Sequence, residues 1–208
     1  MVQSFGESFW DERYSGSEAV WSGQPNPQLV SEISGMPPGR ALDVGCGEGA
    51  DSMWLARQGW QVTAVDFSNV ALRRARQHSS SQAFPGSIAW EHRNLLQWTP
   101  PASSFDLVTA QFIHLPSEDR EPLFLRLATS VARGGSLLIV GHSAADIQAG
   151  ARRPQGDGLY FSAIDIAASL PQDMWRICVA EARPRGGLDA DGHSITIHDE
   201  VLRAVRLA

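Results

Sequence analysis

The segment Ala41-Leu42-Asp43-Val44-Gly45-Cys46-Gly47-Glu48-Gly49 constrains this chain more than any other. Arg40 to Val44 reads as a short buried strand, with alternating glycines directly behind it. Ala50 to Gln58 reads as a helix, with Met53, Trp54 and Leu55 apolar and Gly59 as its C-terminal stop. Glycines between a strand and a helix permit a tight turn and let a ligand approach the backbone closely. The free amides at the start of the helix point into the same space. This junction belongs to α/β architecture.

The rest of the chain supports that class. Gln61 to Val65 alternates and is β-branched, which predicts a strand, and Ser68 suits the N-cap of a helix reaching about His78. Ser87 to His92 and Phe105 to Ala110 read as two further strands. Pro122 lacks a backbone donor and belongs in a first turn, so the next helix is expected to start no earlier than about Asp119 and to end near Arg133, before Gly134-Gly135. Leu123, Leu127 and Val131 would line its inner face. Ser136 to Val140 reads as a central parallel strand.

The C-terminal third changes character. Residues 143–161 are long and polar and read as a loop, and Ala163 to Leu170 as a short helix. Trp175 to Ala182 and Ser194 to Leu207 read as strands with no helix between them, which predicts an antiparallel hairpin at the sheet edge. The expected fold is a single Rossmann-like α/β domain over residues 1–208, with a mostly parallel seven-stranded sheet, helices on both faces and a C-terminal antiparallel hairpin. Residues 1–35 would form a helical cover, 40–141 the cofactor-binding core, 143–161 a loop, and 163–208 the last helix and hairpin. Ligands of such sheets bind beyond the C-terminal strand ends.

Composition narrows the partners. The 208 residues carry 17 basic and 23 acidic side chains, a net charge of −6, whereas a chain that grips a phosphate backbone usually has a basic excess. No nucleic-acid partner is therefore expected, and Arg73-Arg74-Ala75-Arg76 reads as a solvated helix face. Two scattered cysteines, Cys46 and Cys178, make no disulfide framework. Met1 to Trp10 lacks the pattern of a secretory signal, and no apolar run approaches the roughly 18 residues of a membrane span. These features predict a soluble, cytoplasmic protein with no membrane partner. Oligomeric state is not set by the sequence, although the edge hairpin offers a pairing surface.

Asp66 ends the second strand, 21 residues after Gly45. A carboxylate at that place can accept both hydrogen bonds of a ribose diol, so the pair of features indicates an adenosine-containing ligand. Gly45, Gly47 and Ala50 satisfy a dinucleotide pattern, while Asp43, Gly45, Gly47 and Gly49 satisfy an acidic residue followed by GxGxG. Asp43 favours the second pattern. A buried carboxylate is costly, is repelled by a pyrophosphate, and is useful near the ammonium of a methionine moiety, directly or through water. A dehydrogenase would also normally need a further substrate domain.

The run ALDVGCGEGADSMWLARQGWQVTAVDFS resembles the cofactor-binding half of class I S-adenosylmethionine-dependent methyltransferases. FWDERYSGSEAVWSGQPN resembles the small bacterial members related to the tellurite-resistance and thiopurine methyltransferases. The resemblance implies S-adenosyl-L-methionine as cofactor and a small-molecule methyl acceptor as partner. It implies that Asp43, Gly45, Cys46, Gly47 and Gly49 surround the methionine part, that Asp66 meets the ribose, and that Phe67 packs on the adenine. Asn94, followed by Leu95, stands where the family often has an acidic residue facing the adenine amino group, and its amide oxygen can accept that bond without charge. Gln111, Phe112 and His114 fall near the transferred methyl group. Trp10, Arg13, Tyr14 and Trp21 match an N-terminal cover, with Arg13 placed to bind the cofactor carboxylate.

Methyl transfer from a sulfonium needs alignment and exclusion of water more than a nucleophile or a metal. His114 is the candidate general base, weighed against a packing histidine at the site wall, and His142 after the fifth strand is a second histidine able to face the pocket. Arg152 and Arg153 would favour an anionic acceptor, but the simpler reading is solvated surface charge. His193 and His198, with Asp191 and Asp199, lack metal-ligand spacing and read as surface groups of the hairpin, so no metal is expected. A nicotinamide-dependent oxidoreductase and a non-catalytic S-adenosylmethionine-binding module remain as alternatives.

Overall fold

The computed structural model describes residues 6–16, 22–151, 153–154, 156–189 and 191–208. Its sheet comprises β1 (Arg40–Val44), β2 (Gln61–Asp66), β3 (Ser87–His92), β4 (Phe105–Gln111), β5 (Val131–His142), β6 (Trp175–Leu188) and β7 (Ser194–Arg206). The strands stand in the order β3-β2-β1-β4-β5-β7-β6. The first five are parallel, and β7 pairs antiparallel with both β5 and β6. The helices are α1 (Glu7–Ser15), α2 (Pro27–Ile33), α3 (Ala50–Arg57), α4 (Asn69–Ser79), α5 (Ser117–Ser130), α6 (Ala145–Gln148) and α7 (Ala163–Ser169). None of the described helices is long and apolar enough to cross a membrane.

Strand alternation divides the core into two layers. Leu42, Val44, Leu137 and Ile139 face the layer that holds Leu123 and Leu127 of α5 and Ile166 of α7. Ala41, Leu138 and Val140 face the other layer, with Leu29 of α2, Leu55 of α3 and Leu72 of α4. Successive strand residues point to opposite faces, so one sheet serves both. Side chains fix the helix starts. Ser68 Oγ accepts the Ala71 N–H, and Asn26 Oδ1 accepts the Gln28 N–H with Pro27 in the first position of α2.

Four boundaries depart from the expectations. Helix α5 starts at Ser117, so Pro122 lies inside it rather than in its first turn. The Pro116 carbonyl accepts N–H groups from Asp119 and Arg120, which closes the first turn, and the missing Pro122 donor forfeits one intrahelical bond. The helix also yields to β5 at Val131 instead of running to Arg133. Val131 pairs with Phe105, the register then jumps to Leu107 opposite Ser136, and Gly134 turns the extra residues with φ of 77°. Strand β6 continues to Leu188 because it pairs with β7 along its whole length. The segment 143–161 contains α6, and a bridge from Ala151 to Asp189 ties it to the end of β6.

Candidate functional site

The chain passes from β1 to β2 and β3 on one side, then crosses back to β4 beside β1. A cleft of about 1790 Å³ opens at that reversal, lined by Gly45, Cys46, Gly47 and Gly49 after β1 and by Gln111, Phe112 and His114 after β4. This is the place where open α/β sheets bind ligands. The volume exceeds the roughly 300–1,000 Å³ of an ordinary small-molecule pocket and suits two ligands side by side.

Gly45, Gly47 and Gly49 all have positive φ, of 72°, 52° and 86°. At Gly49 a Cβ would run into the Trp90 ring, so both conformation and space demand glycine there. The Val65 carbonyl accepts N–H groups from Gly45 and Cys46 at 2.8 and 3.1 Å. Asp66 completes the turn: its Oδ2 accepts the Gly47 N–H at 2.9 Å and its Oδ1 the Ser68 N–H at 2.8 Å. Each oxygen keeps a further lone pair, and Asp66 lines the cleft. Burial pushes its carboxyl above the usual range despite these bonds. Arg74 pairs with Glu48 at 2.8 Å, fastening the glycine turn to α4, so this member of the arginine cluster is not a solvated charge.

Asp43 is placed differently from the sequence expectation. Its strand position turns it toward α3, where its Oδ2 accepts the Ser52 hydroxyl at 2.6 Å, and it is not among the residues lining the cleft. Asp51, one position before Ser52, does line the cleft and accepts the Asn26 N–H at 2.6 Å. Burial raises both carboxyls, and the Asp51 charge raises Asp43 further. The Cys46 thiol is buried, which pushes it well above its usual range, and its residue contributes to the cleft wall.

Phe67, Asn94, Leu95 and Leu96 form the wall beyond Asp66. The Asn94 side-chain oxygen accepts the Leu96 N–H at 3.0 Å in a local turn, which uses one of its two lone pairs.

Helix α1 covers the opening and contributes Phe9, Trp10, Arg13 and Tyr14 to the lining. Its Asp11 accepts the Ser68 hydroxyl and so docks α1 on the start of α4. Trp10 stacks on His114 at 6.2 Å, His114 lies 5.4 Å from His142, and Phe112 lies 4.4 Å from His142, all between ring centroids. Arg13 lies 5.7 Å from the Trp10 ring. Phe112 adopts φ of 51°, a strained conformation for a bulky residue, where the chain turns back after β4. Gln111 holds the opposite rim by accepting the Asn26 side-chain N–H at 2.8 Å. Burial lowers His114 to about 4 and His142 to about 3, with Arg153 pushing both the same way. Both imidazoles are therefore neutral at pH 7. Trp21 and Arg152 lie outside the described residues.

Three groups on the cleft wall escape sequence reasoning. Arg153 is not a solvated charge: its side chain is 9% exposed and pairs with Asp146 at 2.7 Å. Asp199 is not a surface hairpin group: it is buried, and both of its oxygens accept the Arg185 Nε–H at 2.9 Å. Arg185 has no local sequence signal at all. His198 is half-buried with its ring on Asp146, whereas Asp189, Asp191 and His193 form an exposed group able to approach a cation at the tip of the β6–β7 turn. Asp189 there already accepts N–H groups from Asp191 and His193.

The profile of a family described as a methyltransferase domain matches residues 41–135. Glycine N-methyltransferase of Rattus norvegicus is 32% identical over 136 residues, covering 59% of this chain and 46% of that protein. A structure described under the conversion of a disulfide bond into a thioacetal group during echinomycin biosynthesis aligns with a TM-score of 0.75 at 22% identity, covering 97% of this chain and 91% of that one. The N-methyltransferase NodS from Bradyrhizobium japonicum, solved with S-adenosyl-L-homocysteine, aligns with a TM-score of 0.69 at 21% identity, covering 95% and 96%. The chain spans about half the length of the curated relatives it matches.

Proposed function

We propose that the chain is a class I S-adenosylmethionine-dependent methyltransferase that moves a methyl group from S-adenosylmethionine to a small-molecule acceptor by in-line displacement, a reading supported by the methyltransferase-domain profile over residues 41–135. The observation that carries this reading is the bond between Gly47 and Asp66, which sets a carboxylate with spare lone pairs beside a left-handed glycine turn. The donor supplies an activated methyl group when bound; the residues around it need only hold, align and keep dry.

Asp66 would accept the ribose diol, and Phe67 and Leu95 would sandwich the adenine, with Asn94 accepting from its amino group. Gly45, Cys46, Gly47 and Gly49 would follow the methionine part through their backbone. Asp51, a carboxylate on the cleft wall, would meet the donor ammonium, and Asp43 would act behind it by holding Ser52 and α3. Gln111 would set the edge between the two ligands. Arg13, with Trp10, would close α1 over the donor and exclude water. His114, neutral and close to the end of β4, would accept a proton from an acceptor that has to lose one.

Small-molecule acceptors are supported by relatives such as glycine N-methyltransferase and by the enclosure of the cleft beneath α1. The test is calorimetric binding of S-adenosylhomocysteine, followed by transfer of labelled methyl from S-adenosylmethionine across thiol, hydroxyl, amine, carboxylate and metalloid acceptors. Tight donor binding with transfer to at least one small acceptor is expected. Binding of NADH in place of S-adenosylhomocysteine would reject the donor assignment, and transfer only to macromolecules would reject the acceptor class.

A further inference from the structure

The half of the cleft away from the glycine turn is walled by two arginines from opposite ends of the C-terminal region. Arg153 follows α6, and Arg185 lies on β6. Both are oriented by buried carboxylates. Asp146 receives Arg153 and also accepts the His198 N–H at 3.0 Å, while burial, which would raise its carboxyl, is outweighed by these bonds. Asp199 receives the Nε–H of Arg185 and accepts the Gln28 amide at 3.2 Å. Gln28 in turn accepts an N–H from Arg183, whose other arm pairs with Glu32 of α2 at 2.6 Å. Arg185 is thus fixed through its Nε edge. Among the described residues no acceptor meets either of its terminal nitrogens, and its side chain is a third exposed on the cleft wall.

His142 ends β5, and its ring centroid lies 5.4 Å from that of His114. Its Nδ1 is buried with no hydrogen-bond partner among the described residues. Burial first, then Arg153, His114 and Arg185, hold the His142 ring neutral against the Asp146 carboxylate. With each arginine already paired to one carboxylate, the four groups sum to zero formal charge, and what the wall offers a ligand is the unmet donor edge of Arg185. A planar guanidinium edge without a net field suits a carboxylate better than a doubly charged phosphate.

The geometry points to a methyl acceptor that carries a carboxylate, anchored on the terminal nitrogens of Arg185 with Arg153 beside it. This rests on the methyltransferase reading and names the acceptor class for the same cleft. An anchored carboxylate would place the remainder of the acceptor against His142, Phe112 and His114, toward the donor side.

The test is ligand-observed NMR with acetate, glycine and succinate, each against its amide, and with inorganic phosphate. It is run on the free protein and on the protein saturated with S-adenosylhomocysteine, so failure of donor binding leaves the carboxylate measurement readable. At least one carboxylate is expected to bind tenfold or more tightly than its amide. Arg185→Gln is expected to lower that affinity at least tenfold while S-adenosylhomocysteine affinity changes less than twofold. Arg185→Lys, which keeps the charge on Asp199, serves if the glutamine variant misfolds and should lose about threefold or more. Equal binding of carboxylate and amide, phosphate binding above every carboxylate, or unchanged affinity in both variants would overturn the proposal.

Discussion

The Gly47 N–H donates to Asp66 Oδ2 at 2.9 Å, joining the turn after β1 to the end of β2. One carboxylate therefore shapes the glycine turn and also faces the cleft.

Asp66→Ala should weaken S-adenosylhomocysteine binding by about a hundredfold or more, because two charge-assisted hydrogen bonds to the diol would go. Asp66→Asn keeps one acceptor oxygen and should recover roughly tenfold of the loss. Isothermal calorimetry reads both. Near-normal affinity in the alanine variant would remove Asp66 from the donor site.

Gly49→Ala combines a left-handed φ with a clash on the Trp90 ring. The substitution should cost about 2–4 kcal/mol from strain and overpacking together. Thermal unfolding should fall by roughly 5–15 °C. Trp90→Leu in the same chain should restore part of it, since the clash is relieved and the strain is not.

The two cleft histidines should stay neutral well below the usual imidazole range. Their ring C–H resonances should hold neutral shifts from pH 7.5 to 5, given values of about 4 for His114 and about 3 for His142. Below about pH 6.5 the unfolded chain binds protons that the folded chain refuses, so this contribution to stability is complete above 6.5 and declines as pH falls. Buried Asp43, Asp51 and Asp66 work in the opposite direction, because their raised values favour the folded state on acidification. The informative comparison is with His114→Asn/His142→Asn, which should lose roughly 2 kcal/mol less per ring between pH 7 and 5. Parallel pH profiles would contradict this.

Helix α1 should behave as a cover whose docking is local. Asp11→Ala removes the acceptor for the Ser68 hydroxyl, and Trp10→Ala removes the ring stacked on His114. Of the residues in α1, only Tyr14 is buried, so global stability should change by less than about 1 kcal/mol. The dissociation rate of S-adenosylhomocysteine, followed by stopped-flow fluorescence, should rise several-fold in each variant. A rate unchanged in both would show that α1 does not close the site.

The fold was largely legible because its signals are local. Alternating apolar residues in Gln61 to Val65, the glycines after Val44 and the cap at Ser68 each act within a few residues. The same locality misled at Pro122, where tertiary packing of Leu123 and Leu127 sustains a helix that begins earlier, and at Val131, where pairing with Phe105 ends the helix sooner.

The sequence by itself determined the left-handed glycine turn and the carboxylate that closes it. Both are dictated by backbone conformation and by chain separation across two neighbouring strands. Only the tertiary structure decided which acid reaches the cleft, because strand alternation turns Asp43 behind α3 while the helix presents Asp51. Only the tertiary structure brought Arg153, Arg185 and His142 to one wall. Those residues come from a loop, an edge strand and a central strand, and pairing of β7 with both β5 and β6 is what unites them. Contacts made across a sheet leave no periodic trace in the chain, so Arg185 and the carboxylates that hold both arginines could not be read in advance.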